Sequence, residues 1–265
     1  MSQALAYEST NLEQNFSYQP SSLGYEDYEQ LPEEYKKYLV KIISMQALSE
    51  NEGGVGLGFL LALAPDNKRR KVVSRIAYEE VNHGAYLYKV LEDLGVSEEE
   101  SLAIANGKYN SKLSDSFGGA KEVYGDEDHQ WIDLILDFVL MDTAGAHIVG
   151  NFANASFKPW ADACKKIVDE EKMHVGFGKR EFKRYIAEDH DREHLKERFR
   201  YWYATALNFF GPPSGNTAKK LKNYGLKVLN NDEARDKYRA EIEALMEEYG
   251  CSDLLELKNN EFPYA

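Results

Sequence analysis

The chain has 265 residues, 43% of them hydrophobic and 29% charged, and is long enough to bury a sizeable core. Its 32 basic and 45 acidic residues leave a formal net charge of −13. So acidic a balance argues against a nucleic-acid or anionic-membrane binder, which needs basic surface to neutralise phosphates. No stretch approaches the ~18 to 20 consecutive apolar residues that span a bilayer, and the N-terminus lacks the pattern of a signal peptide. The two cysteines, Cys164 and Cys251, form no framework and no CxxC pair. A soluble, cytoplasmic protein is the expectation.

Residues 1–30 are rich in Ser, Tyr, Gln, Asn and Glu without lasting periodicity, and read as an extended N-terminal tail. Pro32, Glu33 and Glu34 mark a helix start. Leu39, Ile42, Ile43, Gln46 and Ala47 then keep one face at helical spacing, up to a stop at Pro65. Asp66 is placed to cap a second long helix that closes at Gly95. Ser97 opens a short helix ending near Gly107, and residues 108–128 read as a loop. Long helices are predicted over about 129–157, 160–188 and 191–210, with a break at Pro159 and a stop at Phe210-Gly211-Pro212-Pro213. Two shorter ones fill 216–230 and 232–249. Strand signals are nearly absent, so the fold class is all-α. Long helices bury their apolar stripes only against one another, which predicts a helix bundle over 31–250 with additional C-terminal helices and a tail at 251–265.

Two helices carry the same chemistry-bearing pattern: Tyr78-Glu79-Glu80-Val81-Asn82-His83 and Asp169-Glu170-Glu171-Lys172-Met173-His174. A Glu three residues before a His puts both side chains on one helix face, about a turn apart, where they can ligate one metal ion. One such match is unremarkable; two, each inside a long helix and each with a doubled Glu, call for the rest of a ferritin-like dinuclear template. That template needs one further carboxylate from each remaining long helix. Glu50 shares the face of Ile43 and Ala47. Asp142 closes the apolar run from Leu134, where a charge is costly unless paired or bound to metal. Of each Glu doublet the reading favours Glu80 and Glu171, with Glu79 and Glu170 as solvated or supporting groups. His147, five residues past Asp142, falls off that face. Such a carboxylate-rich set with two imidazoles suits two iron ions, with manganese possible.

Glycines crowd these positions: Gly53, Gly54, Gly56 and Gly58 after Glu50, Gly84 after His83, Gly145 after Asp142. They imply room for a bulky ligand or close helix approach. Gly53 and Gly54 are therefore candidate substrate positions. Lys68, Arg69, Arg70 and Lys71 begin the second helix about nine to twelve residues before Glu80, on the order of 15 Å along it, and Lys68, Arg69 and Arg70 are candidates for an anionic substrate group.

Leu48-Ser49-Glu50, the segment Tyr78 to Tyr88, Glu170-Glu171-Lys172-Met173-His174 and Phe209-Phe210-Gly211-Pro212 together resemble the catalytic subunits of the ring 1,2-phenylacetyl-CoA epoxidases, bacterial multicomponent di-iron oxygenases. The resemblance covers roughly 31–250. It implies that Glu50, Glu80, His83, Asp142, Glu171 and His174 fall on the family's metal-ligand positions and carry catalysis. It also implies a cytoplasmic enzyme that inserts one oxygen atom of O2 into an aromatic acyl-CoA thioester. An oligomeric complex with a flavin and iron-sulfur reductase and with a structural sister subunit is implied as well. The rivals are another ferritin-like di-iron oxygenase, acting on a carrier-bound or amino substrate, an iron-oxidising or iron-binding protein of the ferritin and rubrerythrin kind, and a non-enzymatic scaffold that keeps the bundle without working ligands.

Overall fold

A computed structural model describes residues 16–108, 130–212 and 215–257. Helix α1 (Glu33–Leu60) begins directly behind Pro32, with Glu33 and Glu34 in its first turn. Helix α2 (Asn67–Asp93) is capped by Asp66, whose carboxylate accepts from the Arg69 amide at 2.8 Å. At its other end Gly95 takes a φ of +78°, and the amide of Val96 reaches back to the Leu91 carbonyl at 2.9 Å. Only a residue without a Cβ adopts that left-handed backbone cheaply, so the glycine ends the helix. The short α3 spans Glu98–Lys108. The predicted loop at 108–128 lies, apart from Lys108, outside the described residues.

The fourth element departs from the expected continuous helix. Helix α4 runs through Trp131–Leu136, a π-helical turn at Asp137–Met141, and Asp142–Phe152. Helix α5 (Lys158–Tyr185) takes Pro159 into its first turn, where the missing N–H costs nothing. Helix α6 (Arg192–Phe209) is capped by Asp191. The shorter α7 (Asn216–Asn223) and α8 (Asn231–Glu248) complete an all-α architecture. Helix α7 stops earlier than the predicted 230 because Gly225, at φ +60°, turns the chain there.

Helices α1, α2, α4 and α5 form a ferritin-like bundle, and α6 and α8 cover the outer side of α4. One apolar cluster, including Leu39, Ile43, Leu87, Trp160 and Ile167, fills one end of the bundle. Another, with Leu57, Val73, Ile76, Leu134, Phe138 and Phe177, fills the other end. A third binds α4 to α6 and α8 through Ile135, Phe199, Trp202 and Tyr238. Along every bundle helix, a polar segment falls between residues of the first two clusters. That is the layer where the buried acids and histidines lie.

The later half of the segment read as a tail is laid across the bundle itself. Leu23 is buried and pairs in a short bridge with Phe157, its amide donating to the Ser156 carbonyl at 3.0 Å. The Tyr18 ring stacks on Tyr35 at 5.4 Å. Aromatic and leucine side chains spaced through a polar stretch carry no helical or strand period, so their destination was set only by the groove they fill. Beyond α8, Cys251 and Leu254 are buried as well, on a 3-10 turn at Ser252–Leu255. Among the described residues no helix is long and apolar enough to cross a membrane.

Candidate metal centre

Six side chains from four helices converge in the polar layer. Glu50, Glu80, His83 and Glu171 form one group of donor atoms lying within 4.8 Å of one another, and Asp142, Glu171 and His174 form a second. All six predicted positions are thus brought together, and Glu171 belongs to both groups. The His83 Nδ1 lies 3.5 Å from Glu50, 3.7 Å from Glu80 and 3.4 Å from Glu171. The His174 Nδ1 lies 3.0 Å from Glu80 and 3.4 Å from Glu171. The two imidazoles face each other with ring centroids 5.8 Å apart.

Each doublet of glutamates divides its labour between the two motifs. The His83 Nε2 bonds to Glu170 on α5 at 3.0 Å, and the His174 Nε2 bonds to Glu79 on α2 at 2.9 Å. The nearer Glu of each motif faces the centre, while the farther one crosses to hold the other motif's histidine from outside. A carboxylate accepting from Nε2–H fixes the imidazole as the tautomer whose Nδ1 lone pair points inward. Glu79 is itself held by Arg75 at 2.8 Å. Glu50 accepts from Gln46 at 3.3 Å, and Gln46 in turn accepts from the Trp160 indole at 2.9 Å.

Among the described residues, the inward atoms His83 Nδ1, His174 Nδ1, Asp142 Oδ2 and Glu171 Oε2 are buried and make no well-formed hydrogen bond, although carboxylate oxygens crowd the two nitrogens. Buried polar atoms are almost always satisfied, because each unsatisfied one costs ~1–3 kcal/mol. Four of them aimed at one another, two imidazole and two carboxylate, are the donor set that divalent iron or manganese accepts. The electrostatics agree. Burial pushes the Glu50 and Asp142 carboxyls upward, Asp142 further through the charges of Glu171 and Asp137. Burial pulls the His174 imidazole down, yet Glu171 and Glu80 outweigh it and raise the group to about 11. His83 is raised against its burial by Glu171, Glu50 and Glu80. The field at this centre demands positive charge.

A cavity of about 200 Å³ adjoins the acids, between α1 and α4. Glu50, Glu80, Asp142 and Glu171 form its polar end; Met45, Leu57, Met141, Ile148, Phe152 and Phe209 are among its apolar walls. Phe209 opens the Phe-Phe-Gly-Pro segment noted in the sequence. Gly53 and Gly145 line the cavity, and a Cβ on Gly53 would sit 3.7 Å from Glu80. Gly54 does not line it. Its missing Cβ would fall 2.7 Å from Val81 and 2.9 Å from the Ala77 carbonyl, so it serves the close packing of α1 on α2.

Lys68, Arg69 and Arg70 are likewise absent from the cavity lining. Arg69 is committed to Glu181 at 2.7 Å and to Asp66, and Arg70 bonds Asn67. These basic residues begin α2 beside the apolar cluster at that end, where Arg69 answers two local acids. His147 bonds Glu241 on α8 at 2.9 Å, outside the centre.

Asp137 joins the site without having been predicted in it. It lines the cavity beside Glu80, Asp142 and Glu171, and burial together with the charges of Glu80 and Glu171 pushes its carboxyl up to about 7. Its signal in the sequence is its place in the same apolar run as Asp142. In an α-helix, at about 100° per residue, two side chains five apart diverge by about 140°. The π-turn removes that divergence: the Asp142 amide bonds the Asp137 carbonyl, an i→i+5 ring that returns residues five apart toward one face.

Four helices presenting paired Glu-x-x-His motifs and two further carboxylates to one buried layer define a protein of the ferritin-like carboxylate-histidine class. Comparison with known proteins narrows the class. The model of the phenylacetic acid catabolic protein family matches residues 4–260, and the chain belongs to that family. It is similar to one of the subunits of the 1,2-phenylacetyl-CoA epoxidase of Escherichia coli (strain K12), at 28% identity over 217 residues. The match covers 78% of this chain and 66% of that protein's length.

Proposed function

We propose that the chain is the oxygenase component of a di-iron enzyme that inserts one atom of O2 into the ring of an aromatic acyl-CoA thioester, forming a ring epoxide in phenylacetate catabolism. The observation that carries this reading is the pair of inward imidazole nitrogens without a well-formed hydrogen bond, each ring backed by a glutamate from the opposite motif, amid four converging carboxylates. Glu50, Glu80, His83 and Glu171 would hold one ion, and Asp142, Glu171 and His174 the other; manganese suits the same donors. Iron bound there would supply activation of dioxygen by electrons from an external donor.

The chain's own part is to bind, orient and shield. The apolar cavity walls exclude water and receive an aromatic group, which fits a ring better than it fits a hydrated ion in transit. Glu79 and Glu170 keep both imidazoles in the ligating tautomer, and Gln46 holds Glu50 at the cavity edge. The similarity to an epoxidase component supports the acyl-CoA substrate. It also brings to the reading a cytoplasmic complex with a flavin and iron-sulfur reductase and with a structural sister subunit.

The test is metal analysis of the purified protein, joined to a screen of aromatic acyl-CoA thioesters under oxygen with a reductant. Two iron atoms per chain and an oxygenated thioester product are expected. Replacing Glu80 and His83 together by Ala should abolish both metal content and turnover. Undiminished iron in that variant would show that the ligands lie elsewhere.

A further inference from the structure

Asp137 is an acidic wall residue of the cavity that belongs to neither group of converging donor atoms. The acid one helical turn earlier, Asp133, is fully buried and answered by Arg198, the Trp202 indole and the Gln130 amide. Asp137 has no such answer. Among the described residues nothing donates a hydrogen bond to its carboxyl group, although the residue is only 8% exposed and borders the cavity. An unanswered buried carboxyl is unfavourable in either protonation state. The π-turn that aims it also gives up helical regularity, an irregularity found mostly where function needs it.

The rest of the lining says what would answer it. Met45 of α1 and Met141, Ile148 and Val149 of α4 give the cavity thioether and aliphatic walls, and among the described residues no basic side chain lines it. An anionic substituent would meet five acids, Glu50, Glu80, Asp137, Asp142 and Glu171, against the neutral side chains of Gln46 and Ser49. A neutral hydrogen-bond donor on an otherwise apolar group complements both the walls and the carboxyl oxygen, which accepts whether or not the group carries a proton.

We propose that Asp137 is a specificity-determining residue that accepts a hydrogen bond from a hydroxyl group on the aromatic ring of the substrate, so that the chain prefers hydroxylated aromatic acyl-CoA thioesters over the unsubstituted ring. The inference rests on the acyl-CoA reading above and selects within it. A site built to bond a hydroxyl rejects the analogue lacking it far more strongly than an apolar pocket rejects an added hydroxyl.

The experiment is calorimetric binding of hydroxyphenylacetyl-CoA and phenylacetyl-CoA to the full chain loaded with Mn(II), without reductant so that nothing turns over. The hydroxylated thioester should bind at least about tenfold more tightly to the unaltered protein, as a hydrogen bond to an acidic group implies. Asp137→Leu should erase or invert that preference, while Asp137→Asn, whose amide oxygen still accepts, should retain part of it. Equal binding of the two thioesters to the unaltered protein, or a preference that survives in Asp137→Leu, overturns the proposal. Should the metal-loaded protein bind neither thioester, the acyl-CoA reading falls and this proposal with it.

Discussion

Glu79 and Glu170 carry no inward ligand atom, yet each decides what an inward imidazole can do. Each accepts from an Nε2 at 2.9 to 3.0 Å, and removing such an outer carboxylate typically costs 10- to 100-fold in metal affinity. Glu79→Ala and Glu170→Ala, which remove the acceptor that an amide would keep, should therefore each weaken binding by about that factor, read by competition with a chromogenic chelator. Stability should hardly change, because both side chains stay partly hydrated at 14% and 30% exposure. A loss below about threefold in both variants would show that the crossed hydrogen bonds do not hold the rings. At this scale the ligand types and their three-residue spacing were legible in the sequence. Which Glu of each doublet faces inward was favoured there by spacing, whereas the outward partner's target was invisible, since it lies on a helix 87 or 95 residues away.

Helices α1 and α2 pack closely because glycine leaves room for backbone against side chain, and the glycines after Glu50 are not equivalent. A Cβ at position 54 would press on the Ala77 carbonyl, a backbone atom that cannot swing aside. Gly54→Ala should destabilise by about 1–3 kcal/mol through overpacking. On α4, a Cβ at position 145 would meet nothing within 4 Å. Gly145→Ala should instead stabilise by roughly 0.5–1 kcal/mol, as alanine does inside a helix, while narrowing the cavity that Gly145 lines. Denaturant unfolding of the two variants measures both, and equal signs would refute this division of roles. The sequence placed glycines beside the ligands without sorting them, because the sorting depends on what lies across the interface. The π-turn in α4 was hidden for a related reason. Its residues, Asp-Phe-Val-Leu-Met, suit an ordinary helix, and only the packed surroundings of Asp137 and Asp142 select the wider ring.

Over the whole molecule, two apolar ends clamp a layer of acids that outnumber the two imidazoles among them, an arrangement that further positive charge in the layer stabilises. A metal that binds the folded chain alone stabilises it by about 4 kcal/mol at a thousandfold excess over Kd. For a chain of this size that is a rise in melting temperature of about 8–16 °C. Thermal melts with Fe(II) under anaerobic conditions, or with Mn(II), should show this rise, and a chelator should reverse it. The rise should grow with pH across the range where metal binding must displace protons from the raised imidazoles into solvent. An unshifted melt in the Glu80→Ala/His83→Ala variant is the matching control, and an unshifted melt in the unaltered protein would refute the charge argument.

By itself the sequence determined the all-α class, the starts and stops of the helices, and six acidic and imidazole positions at spacings that place them on bundle-facing sides. Periodicity, caps and breakers are local, so they can be read from neighbours along the chain. Tertiary structure decided the rest: the crossed Glu–His bonds, the cavity walls, the separate tasks of Gly53 and Gly54, the commitment of Arg69 to Glu181, and the return of Asp137 to the face of Asp142. Each depends on a partner many residues away, and a side chain's chemistry in a folded protein is set by what packs against it.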